Sequence, residues 1–349
     1  MKALWQNISS YWEGIYKLEH PVREEWATPN KVVLEQGNLR LRHFTNSDVE
    51  EHRPVLILPP QAGHHSNLAD YASDQSLVRV FQRYGFDVFV AEWRSATFEQ
   101  RNLNFDDLFY LTDMAVEKIR SLTGIFKIHI VGQCQGGWQA AIYTSLYPEK
   151  IASLTAAAAP IDLSAAHSPI NDYARLPMAF FEYLVAIGNG LMDGKYMLLG
   201  FKNMQPQEHY VRKYYDMWNM IESDDQARLD RFFRFQNWYG YTQKLPGQLY
   251  LDIIKNIFKE NNLTKPGSFS VRGIPVDLRN ISCPVVILAG KKDHITPPAQ
   301  AFALKDLIST PPSDVVEILT SGGHIGTLMG HQALTKNWTT VNEMLEMVI

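Results

Sequence analysis

The chain has 349 residues, 46% of them apolar, and a formal net charge of −4 at pH 7. Length and apolar content suit one elaborated domain or two with a sizeable core, and the mild acidity gives no electrostatic reason to expect a nucleic-acid partner. Two cysteines, Cys134 and Cys283, are too few for a disulfide framework, and neither has neighbours spaced as metal ligands, so a reducing compartment is expected.

Taken in chain order, residues 1–20 lack the apolar stretch of roughly 7–15 residues behind a basic start that marks a secretion signal. No run approaches the ~18 apolar residues of a membrane span, so the chain is expected not to be transmembrane. Leu4, Trp5, Ile8, Trp12, Ile15 and Tyr16 instead recur near helical spacing, which predicts a helix whose apolar stripe packs on its own domain. Val32 to Leu34 and Leu39 to Phe44 read as a hairpin around Gln36-Gly37-Asn38, and Val55 to Leu58 as a short buried strand. A helix over Ser76 to Tyr84 leads to a strand at Asp87 to Ala91. The amphipathic helix Phe105 to Leu122, with Leu108, Leu111, Met114, Ala115, Ile119 and Leu122 at periodic positions, leads to a strand at Ile128 to Val131. Further strands are predicted at Ile151 to Ala157, Pro284 to Leu288 and Val315 to Leu319. This alternation is that of an α/β protein with a mostly parallel central sheet flanked by helices. Between Pro160 and Gly273 the alternation stops, and aromatic, Met-rich helical segments take over. Residues 1–165 and 274–349 are therefore read as the core, and 166–273 as a helical subdomain inserted before the last strands. Most of its aromatics should form a second helical core, with a minority left to line a cavity.

The chemistry centres on Ile128-His129-Ile130-Val131-Gly132-Gln133-Cys134-Gln135-Gly136-Gly137-Trp138. A strand that turns sharply into a helix strains its central residue, and glycines two positions before and after relieve the crowding. Gly132 and Gly136 occupy those positions. The thiol thereby sits at a helix N-terminus, where the dipole favours negative charge. This Gly-x-Cys-x-Gly turn resembles the nucleophile elbow of the α/β-hydrolase fold, in which an insertion at 166–273 commonly forms a cap, or lid, over the site. In that fold the acid and then the histidine follow the nucleophile in sequence. Asp293 follows the strand Val285 to Leu288, and His324 is placed on the loop after the last strand. His324 would take the thiol proton, with Asp293 holding its tautomer and charge. His294 directly follows the acid and would struggle to reach it, while Cys283 lacks a glycine elbow and reads as buried and inert. The oxyanion hole should use the backbone N–H of Gln135 and that of Gln61 or Ala62, in the loop Pro59-Pro60-Gln61-Ala62-Gly63-His64-His65-Ser66. His64, His65 and Trp138 are candidates for contacting substrate.

From about Pro54 to Gly330 the chain resembles the polyhydroxyalkanoate synthases, particularly their short two-component type. The elbow, Ser76-Leu77-Val78-Arg79, Asn104-Phe105-Asp106-Asp107, Leu245-Pro246-Gly247-Gln248-Leu249-Tyr250, Val276-Asp277-Leu278 with Asn280-Ile281, Lys292-Asp293-His294 with Pro297-Pro298, and Gly323-His324-Ile325-Gly326 carry the likeness. The resemblance implies an acyltransferase that moves hydroxyacyl groups from coenzyme A thioesters to a growing polyester through a Cys134-bound acyl-enzyme, with His324 as base and Asp293 as its partner. Coenzyme A enters as substrate, and no cofactor is implied. The expected partners are a hydroxyacyl-CoA, a polyester chain, a second helical subunit and a homodimer or hetero-oligomer, in the cytoplasm or on a polymer granule surface. Gly63-His64 departs from the synthase pattern and looks more like intracellular polyester depolymerases, so a thiol-dependent hydrolase with the same triad is the alternative. A non-catalytic granule-binding relative is the third reading, and the intact Cys134, Asp293 and His324 argue against it.

Overall fold

The computed structural model describes residues 2–45 and 53–348. Eight strands form the central sheet: β1 (Lys31–Gln36), β2 (Leu39–Phe44), β3 (Pro54–Leu58), β4 (Asp87–Trp93), β5 (Ile128–Gln133), β6 (Ile151–Ala157), β7 (Val285–Gly290) and β8 (Val315–Thr320). Their order is β1-β2-β4-β3-β5-β6-β7-β8, with β2 antiparallel to its two neighbours and the remaining pairs parallel. All residues of β3, β4, β5 and β7 are buried, as continuous apolar runs with helices on both faces require. Every predicted strand is present, each differing by a few residues at most at its ends.

The core helices are α2 (Leu77–Arg83), α3 (Phe105–Thr123) and α4 (Gln135–Leu146), joined after β7 by α11 (Pro298–Phe302), α12 (His324–Met329) and α13 (Trp338–Glu346). Local polar chemistry sets their starts. The Ser76 hydroxyl accepts from the Arg79 N–H at 3.0 Å, and Asn104 and Asp107 form a reciprocal box in which each side chain accepts from the other's N–H. Gly124, at φ 72°, ends α3 in the left-handed conformation. One apolar cluster packs α3 and α4 on one face of the sheet, and a second packs α2, α12 and α13 on the other.

Between β6 and β7 lie α5 (Pro169–Ala174), α6 (Met178–Ile187), α7 (Gly194–Met204), α8 (Lys213–Glu222), α9 (Gln226–Gly240) and α10 (Gly247–Ile253), the last continuing as a wider π-type turn through Lys259. They form two small cores. Phe181, Met192, Leu245 and Tyr250 anchor one, and Met217, Met220, Ile221 and Leu229 the other.

The N-terminal helix α1 (Lys2–Glu19) corrects two expectations. It packs on α8 and α9 of the inserted region rather than on the sheet, through Tyr11, Gly14, Ile15 and Leu18. Trp5 and Trp12, which the expected packing stripe included, are 69% and 66% exposed, and Leu4 and Tyr16 are exposed with them. The cause is Gly14. A Cβ there would sit 2.8 Å from the Met217 sulfur and 3.0 Å from Phe233, so close approach selects the face at i, i+3, i+4 and i+7 around a residue with no apolar side chain.

Candidate active site

Cys134 is the N-cap of α4, at φ 54° and ψ −117°. A non-glycine residue in that region costs on the order of 1–3 kcal/mol and persists only where its surroundings over-determine it. Two backbone bonds do so: the Cys134 N–H donates to the Ala157 carbonyl at 2.8 Å, and the Gly137 N–H to the Cys134 carbonyl at 2.8 Å. The flanking glycines are steric necessities. A Cβ on Gly132 would collide with the Gly136 carbonyl, and one on Gly136 with the Leu58 carbonyl at the end of β3.

The loops after β7 and β8 are laced together by the Lys291 N–H to the Thr320 carbonyl and the Lys292 N–H to the Gly322 carbonyl, both at 2.9 Å. Asp293 is thereby buried beside His324. Its Oδ1 accepts from the Ile295 and Thr296 N–H groups at 2.9 and 2.8 Å, leaving Oδ2 to pair with His324 Nδ1 at 2.7 Å. His324 opens α12 rather than lying on a free loop, and the Trp338 indole N–H anchors that helix on the Thr327 carbonyl at 3.0 Å. Burial disfavours charge on His324, but the Asp293 carboxylate, followed by Cys134, outweighs it and raises the imidazole well above its ordinary 6.5. Cys134, half-buried, and the buried His324 both line one cavity of about 690 Å³.

His64 lines the same cavity. Its ring stacks with Trp238 and Tyr239, both at 5.1 Å, and with Phe201 at 5.9 Å. Burial, with Lys202 nearby, pushes it down to about 4, so the ring is neutral at neutral pH. His65 does something else. Its Nδ1 accepts from the Asn67 N–H at 3.2 Å and its Nε2 pairs with Glu92 Oε1 at 3.3 Å, which leaves neither nitrogen for a substrate. Glu92 is 1% exposed and also pairs with Arg23 at 2.8 Å and Arg42 at 2.7 Å. Although burial pushes its carboxyl up, hydrogen bonds from His65 and Arg42 bring it down to about 2. His65 therefore positions the loop after β3, while its ring still lines the cavity. Trp138 is corrected as a substrate contact: it is 1% exposed, stacks on Phe105 at 5.6 Å and packs in the core one turn beyond the thiol.

Ala62 and Gln135 line the cavity, with Gln61 at its inner neighbour, and all three are buried. As the first residue of α4, Gln135 has no intrahelical acceptor for its N–H. His294 is half-buried at the cavity wall, and burial lowers it despite Asp293 beside it. Of these two histidines it is His324 that holds the bond to Asp293. Cys283 is remote from the cavity, packed at the edge of the main core, and burial pushes its thiol up to about 11.

His209, Arg212, Lys213 and Lys292 also border the cavity, with Glu208 and Asp216 as acidic neighbours. Apart from Lys292, which belongs to the core, these are inserted-region residues that the amino-acid pattern did not single out. His209 stacks on Tyr239 at 5.2 Å, and the aromatic crowding was the one signal that could have drawn it in.

Residues 38–334 match the model of a family described as protein of unknown function (DUF3141). The chain belongs to that family. It is also 25% identical, over 90% of its length and 63% of the relative's, to the poly(3-hydroxyalkanoate) polymerase subunit PhaC of Haloferax mediterranei. The subunit of the same description from Allochromatium vinosum is 27% identical over 88% of this chain and 85% of its own. These alignments bear out the resemblance read from the sequence. Among solved structures, the Paleococcus ferrophilus monoacylglycerol lipase aligns with a TM-score of 0.54 and 17% identity, over 85% of this chain and 96% of that one. A Bacillus megaterium epoxide hydrolase aligns at 0.52 and 14%, over 89% and 99%. At these identities they establish the fold alone, and the α/β-hydrolase fold expected from the glycine-flanked elbow is borne out. Among the described residues no helix is long and apolar enough to cross a membrane.

Proposed function

We propose that this protein is an acyltransferase of the polyhydroxyalkanoate synthase kind, working through an acyl-enzyme on Cys134. The Cys134 thiol gives its proton to His324 as its sulfur attacks the carbonyl of a hydroxyacyl-CoA thioester. As the bond to the coenzyme A sulfur breaks, the leaving thiolate takes a proton from His324. A hydroxyl at the end of a polyester chain then gives its proton to His324, its oxygen attacks the acyl-enzyme, and the Cys134 thiolate leaves. Asp293 fixes the imidazole tautomer and stabilises its charged form. The backbone N–H of Gln135, with that of Gln61 or Ala62, receives the developing oxyanion. His64 serves as a neutral wall, and the cations at the cavity border suit a phosphate-bearing thiol carrier. No metal or organic cofactor takes part.

The observation that carries this reading is the buried Asp293–His324 bond sharing a cavity with a strained thiol. The descriptions of the PhaC relatives supply the substrate class and, in the word subunit, favour a second subunit; a cytoplasmic or granule-surface setting is part of the same proposal. The test is product analysis on 3-hydroxybutyryl-CoA, with and without candidate helical partner subunits. Free coenzyme A released together with polymer is expected. Coenzyme A accompanied only by free hydroxy acid would move the assignment to a thioesterase or polyester depolymerase with the same triad. That second reading has one observation in its favour, since Cys134 is only half-buried and the cavity admits water beside it. Cys134→Ala should abolish the acyl-enzyme seen by mass spectrometry in either case, whereas unchanged turnover would remove the triad.

A further inference from the structure

A second cavity, of about 250 Å³, lies mostly within the inserted region and meets the first at Gln135, Ile170, Phe201 and Phe258. Its walls come from α5, α6, α7 and α10 and are almost wholly apolar, with Leu184, Met197 and Ile254 among them. Two of the polar groups that line it are satisfied within the protein. The Tyr173 hydroxyl donates to the Gly200 carbonyl at 3.2 Å, and Asn203 Oδ1 accepts from the Tyr210 hydroxyl at 3.1 Å. At the junction stands the buried side-chain carbonyl of Gln135, which has no hydrogen-bond partner among the described residues. Charged and polar side chains therefore cluster on the Cys134 side of Gln135 and the lining beyond it is mostly apolar, which is the polarity profile of an acyl group held at its carbonyl.

We infer that the second cavity is the subsite for the distal part of the acyl chain, so the preferred substrates carry a medium or longer apolar tail. This rests on the acyl-enzyme reading given above. A carbonyl carbon at the Cys134 sulfur, with its oxygen towards the Gln135 N–H, leaves the chain to run past the Gln135 side chain between Phe201 and Phe258. A four-carbon hydroxyacyl group would leave the apolar space beyond Gln135 unfilled. Each added methylene that enters such a pocket raises specificity by roughly tenfold or more, until the space is full.

The cavity can be closed from two sides. Gly200 borders it, and a Cβ there would meet nothing within 4 Å, so Gly200→Phe adds bulk without a clash at its first atom. Leu184→Trp fills it from α6. The measurement is the rate of coenzyme A release in the acylation burst, compared between 3-hydroxybutyryl-CoA and 3-hydroxydecanoyl-CoA. The wild type is expected to favour the decanoyl thioester by about tenfold or more, and each variant to reduce that ratio by a similar factor. A parallel titration of the Cys134→Ala protein with a fluorescent long-chain fatty acid, displaced by decanoate, reads the cavity without the chemistry, and Gly200→Phe should weaken it. Equal rates for the two thioesters, or a ratio and a probe affinity that neither variant moves, would overturn the subsite. Probe binding that Gly200→Phe weakens, with no thioester ever acylating Cys134, would keep the subsite as an apolar-chain site and discard the acyl-enzyme reading.

Discussion

The strand-end loops and the inserted helices hold their side chains by different means. Cys134, Asp293 and His324 are fixed by backbone hydrogen bonds and by glycines against carbonyls, so their geometry follows from the sheet. The walls contributed by the inserted region are side chains packed on side chains, such as Phe235 and His209 against Tyr239. Chemistry set by backbone tolerates little change, whereas selectivity set by packing can be altered one side chain at a time.

Substitutions of glycine put this contrast at its sharpest. Gly136→Ala drives a methyl group into the Leu58 carbonyl and should cost about 4 kcal/mol or more, visible as loss of the cooperative thermal transition. Gly200→Ala, in α7 with open space around it, should instead stabilise by about 0.5–1 kcal/mol through helix propensity. A stable Gly136→Ala protein would break the distinction. Next in size, Asp293→Asn removes the group that sets the imidazole tautomer. It should slow acyl-enzyme formation by a factor on the order of 10³–10⁴ while leaving the far-UV circular dichroism intact.

Two pH effects come next, and they have opposite signs. His129 is buried in β5, its Nδ1 bonded to the Ser153 hydroxyl at 2.8 Å, and burial lowers it to about 4. Between 6.5 and about 4 the unfolded chain binds a proton that the folded one refuses, so stability should fall by about 3 kcal/mol as pH drops through that window. His129→Leu should flatten the slope of urea midpoint against pH there. His324 is raised instead, so the stability from its pairing with Asp293 is fully present below 6.5 and is lost as pH climbs through the higher folded-state value. The difference in midpoint between the wild type and His324→Gln should therefore shrink on the alkaline side. A difference that grew with pH would place the charge on the wrong partner.

The same contrast explains what could be read from the amino acids. Strands such as β4 and β5 were legible because burial on both faces demands unbroken apolar runs, and Cys134 because its elbow demands glycines at fixed offsets. Asp293 and His324 followed from chain order and strand ends. The packing of α1 was not legible, since its contact face is centred on Gly14, which carries no hydrophobic signal, while Trp5 and Trp12 advertise a face that lies open. Trp138 misled for a related reason: nearness in sequence to the thiol places it on a helix turned into the core. His65 could not be told from His64 because the difference between them is Glu92, a partner on another strand.

The placement of α1 gives the inserted region a mechanical character. The Val22 N–H and carbonyl clasp the Asn237 amide of α9 at 2.7 and 2.9 Å, and one residue later Arg23 is bolted to Glu92 in the sheet. Residues 22 and 23 thus tie the inserted helices to the sheet at one point of the chain. Any displacement of α9 against the sheet would have to strain one of these two attachments or carry α1 along with it. Trp12, exposed on α1, would report such a displacement through its fluorescence.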